Sequence, residues 1–83
     1  MDLIRGQVVR SRAGHDRDLY FVILAVEGDR AVVCDGKTRQ LEKPKKKNRR
    51  HLCLTQMVLS EDQLKTNKQI RTTLRQLTDG QSA

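Results

Sequence analysis

The sequence predicts a mostly β chain, a small barrel of about five short strands followed by a C-terminal α-helix. Three observations predict it. The apolar and β-branched residues of the first 57 positions fall in runs of strand length rather than at helical spacing. Two glycine-bearing pairs, Gly28-Asp29 and Asp35-Gly36, stand between such runs as hairpin signals. From Ser60 onward the period changes and the start signals of a helix appear.

In chain order, "LIRGQVVRSR" supplies the first strand, broken by "AGHDRD". "LYFVILAVE" is a continuous apolar run of strand length with an aromatic pair, which suits a buried central strand. Gly28-Asp29 turns it into "RAVVC", and Asp35-Gly36 turns that into "KTRQLE", closing a three-stranded meander. "HLCLTQM" is the fifth strand. Closing five such strands into a barrel removes the sheet edges. Residues 1–57 thus form the barrel, with a basic segment at 43–51 inserted before its last strand. Beyond it, Ser60 and Gln63 form a capping-box pattern, and Leu59 and Leu64 stand at the positions of a hydrophobic staple. The helix is expected over 60–78, with Gly80 as a stop and 79–83 as a disordered tail. Its apolar stripe of Ile70, Leu74 and Leu77 is narrow, so the helix is expected to dock lightly on a barrel that folds without it.

Eighty-three residues, 36% hydrophobic and 33% charged, suffice for one small domain with a thin stability margin. No run of eighteen apolar residues is present, and "MDLIRG" lacks the basic and apolar parts of a signal peptide, so a cytoplasmic location is expected. Cys34 and Cys53, in "AVVCD" and "HLCLT", read as packed reduced thiols. With His15 and His51 they make four nominal zinc ligands, but without the close pairing of structural zinc sites. His15-Asp16 reads as a polar turn. A P-loop and a nucleophile–base set are both missing, so neither an enzyme, a small-molecule substrate nor a cofactor is expected.

The net charge of +7 is concentrated. Residues 1–42 carry seven Lys/Arg and seven Asp/Glu, whereas 43–50 carry six cations and no acid. Like charges repel and favour an extended, solvated chain, so a fold alone has no need of this run. Pro44 sets its own φ and pushes Lys43 toward extended geometry, which predicts that the segment begins as a loop. Such a run neutralises phosphates and releases counterions, and its anchorage between two strands lowers the entropy lost on binding.

The stretch "GQVVRSRAGHDRDLYFVILAVEGDRAVVCDG" resembles a KOW motif and its continuation, a strand–loop–strand unit within an SH3-like barrel. Through "KTRQLEKPKKKNRRHLCLT" the order of elements resembles short bacterial relatives of an archaeal and eukaryotic large-subunit ribosomal protein. The resemblance covers roughly residues 4–57. It implies an RNA-binding protein, ribosome-associated, whose loop at 11–18 contacts RNA through Arg12, Gly14 and Arg17. Asp18 stands where the family usually has a second Gly, and Phe21 replaces a small residue, so weight shifts to the basic run.

The RNA-binding residues expected there are Lys43, Lys45, Lys46, Lys47, Arg49, Arg50 and His51, acting mainly on the phosphate backbone. RNA, ribosomal RNA for choice, is preferred to DNA on the resemblance. Tyr20 and Phe21 are adjacent in a strand and face opposite sides, so at most one is exposed for base stacking. The competing readings of the run are a solvated loop, a nuclear-localisation address and a groove for an acidic protein segment.

Overall fold

The structure is a computed structural model describing residues 3–81, except the side chains of Asp16 and of 78–81. Five strands, β1 (Gln7–Ser11), β2 (Tyr20–Glu27), β3 (Arg30–Cys34), β4 (Lys45–Asn48) and β5 (Leu52–Val58), form one antiparallel sheet. A C-terminal helix, α1 (Asn67–Gln81), follows. The strand order is β4-β3-β2-β1-β5, and no ladder joins the two outer strands among the described residues. The expected closed barrel is therefore an open sheet.

That sheet is nonetheless strongly curled, and the chain itself shows why. Five flat strands would place β4 and β5 about 19 Å apart at about 4.8 Å per step. The link from Asn48 to Leu52 is a 3-10 turn, Arg49–His51, and four residue steps span at most about 15 Å. The two edges must bend toward each other. Burial agrees: Val9, Phe21, Ile23, Ala31 and Val33 are fully buried with Leu52 in a cluster to which the helix contributes nothing. Only a sheet folded over its own face can bury them.

The other face is closed by the C-terminal segment. Val8, Val22 and Cys34 pack with Leu59, Leu64, Ile70 and Leu74. The helix thus supplies Ile70 and Leu74 to a core, correcting the expectation of light docking. Two buried side chains, Ile70 and Leu74, with Leu77 partly buried beside them, suffice because the stripe meets residues of β1, β2 and β3 rather than solvent. The capping box forms, with Gln63 Oε1 accepting from Ser60 N at 2.8 Å. It caps a 3-10 turn, Glu61–Leu64, not the α-helix, which begins only at Asn67. Arg5 holds this turn down, its guanidinium 2.9 Å from the Glu61 carboxylate, whose pKa that bond lowers. At the other end α1 runs through Gly80 to Gln81, so Gly80 is no stop and 79–81 are helical. The last two positions of the expected tail, 82 and 83, lie outside the described residues.

Glu27 pairs with Arg30 across Gly28-Asp29, and Gly28 has φ 59° while Asp29 does not, the pattern of a II′ hairpin with Gly first. The second turn departs from expectation. "KTRQLE" is not a strand: residues 35–44 connect β3 to β4. Asp35 Oδ1 accepts from the backbone N–H of Lys37 and Arg39 at 2.9 and 2.8 Å, so a side chain satisfies the groups a ladder would have used. Leu41 N–H donates to Asn67 Oδ1 at 2.7 Å, drawing the connection onto the helix. Gly36, at φ 76°, allows that approach, since a Cβ there would run into the Asn67 carbonyl oxygen. The fourth strand is instead Lys45–Asn48, inside the basic run.

Candidate nucleic-acid interface

The basic run was expected to begin as a loop. Lys43 and Pro44 do lie outside any strand, but the run then pairs along β3, with Lys45 opposite Val33, Lys46 opposite Val32 and Lys47 opposite Ala31. Pro44 excludes a helix, and β3 offers an unpaired edge, so the extended run forms a ladder. Lysines on an edge strand also discourage further pairing with other chains.

Pairing imposes alternation on the charges. Lys46 points outward and meets Glu27 at 3.1 Å, with both side chains more than half exposed, a pair worth about 0–1 kcal/mol that does not immobilise it. Lys47 points inward. Only 9% exposed, its ammonium donates to Ser11 Oγ at 3.0 Å and lies 5.9 Å from the centre of the Phe21 ring. The hydroxyl and the ring face stabilise a charge that burial alone would penalise. Lys47 is therefore a positioning residue between β1 and β4, and its inclusion among phosphate-gripping residues is corrected. Lys45 is half-buried on the same side of β4, and Lys43 stands exposed at the opposite end of that strand from the turn.

Past β4, Asn48 caps the 3-10 turn, its Oδ1 accepting from Arg50 N at 3.1 Å, and Arg49, Arg50 and His51 are exposed. Two backbone bonds fix this turn in place. Arg49 N–H donates to the Asp29 carbonyl of the β2–β3 hairpin at 2.8 Å, and Arg12 N–H donates to the His51 carbonyl at 2.8 Å. Arg12 opens the β1–β2 loop, so the loop picked out by motif and the segment picked out by charge meet at one rim, although 39 positions separate Arg12 from His51. The loop holds a 3-10 turn, Gly14–Asp16, with Arg12, Gly14, His15 and Arg17 exposed. Asp18 closes it at φ 71°, a left-handed conformation that glycine adopts without strain.

Arg30 joins the rim and was not expected. It is exposed, opposite Asn48, and follows the Asp29 carbonyl that holds the turn. Nothing in the sequence marks it, because its place depends on β3–β4 register. The exposed cations on the turn, the β1–β2 loop and the strands beside them include Arg12, Arg17, Arg30, Lys46, Arg49 and Arg50. Phe21 is fully buried and Tyr20 half-buried, so the rim offers guanidinium planes rather than aromatic rings.

Cys34 is buried and its thiol pushed up to about 11, chiefly by that burial, whereas Cys53 is half-buried on β5. Among the described residues no group of three His, Cys, Asp or Glu could hold a metal ion, and no helix is long and apolar enough to cross a membrane. No protein-family model matches the chain, and no curated protein matches it.

Proposed function

We propose that this protein is an RNA-binding module of the KOW type, cytoplasmic and ribosome-associated, that grips structured RNA through its phosphate backbone. The observation that carries the reading is the Arg12–His51 backbone bond, which unites two basic stretches of unrelated sequence signal into one rim. Cations fixed at both ends lose little entropy on binding and release counterions from the polyanion. The left-handed Asp18 fits the resemblance, since it keeps the backbone shape a KOW glycine would supply. Backbone and shape contacts dominate, with Arg49, Arg50 and His51 near enough to one another to reach base edges. The module needs no cofactor and performs no catalysis in this reading.

Crosslinking in cells followed by sequencing of the attached RNA tests it. Enrichment of ribosomal RNA, with crosslinks at Arg12 and at 49–51, is the expected result. Co-sedimentation with ribosomes that resists nuclease, with no RNA crosslinked, would instead point to an acidic protein segment as the partner of the rim.

A further inference from the structure

A second basic surface lies beside α1. Leu19, Tyr20, Asp35, Lys37, Arg71, Leu74 and Arg75 line a shallow cleft of about 520 Å³ between the start of β2, the β3–β4 connection and α1. None of them belongs to the rim. Its volume falls in the range that holds a small ligand.

The cleft is built by the close approach already described. Because Gly36 has no Cβ, the connection sits against the first turns of α1, where Arg71 Nη1 reaches the Gly36 carbonyl at 3.5 Å. That seating brings Lys37 of the connection beside Arg71 and Arg75 of the helix. Among the described lining residues the carboxylate is Asp35, engaged by two backbone N–H groups of its own loop, which offsets part of its charge locally. The walls are different in kind. Leu74 is buried, Tyr20 packs against the helix-side core, and Leu19 is 44% exposed, leaving an apolar flank beside the cations. An acidic peptide would match the basic side of the cleft and leave that flank uncovered. A nucleotide matches both, with its phosphate at the cations and its base on the Tyr20–Leu19 side.

We infer that this cleft is a subsite for one unstacked nucleotide of the bound RNA. The inference rests on the RNA reading of the rim, and its test reads the cleft separately. The 15N-labelled full chain is titrated with adenosine 5′-monophosphate, with inorganic phosphate and with a hexaglutamate peptide, following the amides of Tyr20, Lys37, Arg71 and Arg75. The nucleotide is expected to give saturable shifts there and to bind about tenfold more tightly than phosphate, the lower end of what one base stack contributes. Lys37→Gln with Arg75→Gln weakens nucleotide and phosphate alike. Tyr20→Leu, which keeps the apolar volume, removes the preference for the nucleotide. Arg49→Gln with Arg50→Gln leaves the titration unchanged, so a failed rim and a failed cleft are told apart. Absent shifts at the cleft, equal affinity for phosphate, tighter binding of the peptide, or a preference that survives Tyr20→Leu would each overturn the inference.

Discussion

Replacing Lys46, Arg49 and Arg50 together with Gln removes half of the six cations named at the rim. Each phosphate neutralised on a single strand contributes about −0.7 to the slope of log affinity against log salt. With six contacts the slope is about −4, and affinity falls about 300-fold between 50 and 200 mM salt. The triple variant should give a slope of about −2 and a fall of about 20-fold over the same range. The substitutions leave Lys47 in place because its charge lies inside the fold, so thermal unfolding should move little. Fluorescence anisotropy with a labelled single-stranded RNA, repeated across the salt series, reads the slope directly. An unchanged slope in a folded triple variant would refute the rim as the phosphate contact and leave the run as a solvated edge strand.

Lys47→Ala should have the opposite signature, costing about 1–3 kcal/mol of stability by removing a buried charged hydrogen bond while leaving the salt slope intact; denaturant unfolding beside the same anisotropy series checks both halves. Truncation after Ser60 should abolish cooperative unfolding, because it uncovers Val8, Val22 and Cys34. In the full chain Ile70→Ala should cost about 2–5 kcal/mol, and a truncated chain that still melts cooperatively would return the helix to an accessory role. Cys34 couples stability to alkaline pH. Its folded-state pKa is raised to about 11, so the folded state keeps a proton that the unfolded state loses first. Stability present below pH 9 should therefore decline toward pH 11 in urea titrations, and Cys34→Val should lose that component of the decline; a wild-type pH dependence identical to the variant's would sink the assignment.

The features legible in the amino-acid order are local ones. The β2–β3 hairpin was legible because Gly28 alone supplies the backbone its turn needs, and β3 falls where "RAVVC" was read. The capping box and the leucine pair around it were legible because their signals lie within a few residues. Whatever depended on a distant partner was set by packing instead. Asp35-Gly36 resembles a hairpin signal, yet Gly36 serves an approach to Asn67, 31 positions away. The β3 edge then took "KKKN" as its partner, a segment whose own propensity for a strand is poor. That pairing alone set which lysines face outward, since a two-residue period buries Lys47 and exposes Lys46 with no difference in residue type. The charge run could be counted in the sequence, but its meeting with Arg12 and Arg30 required the curl of the sheet. Curl is a property of five strands packed around one core, and no short window of residues encodes it.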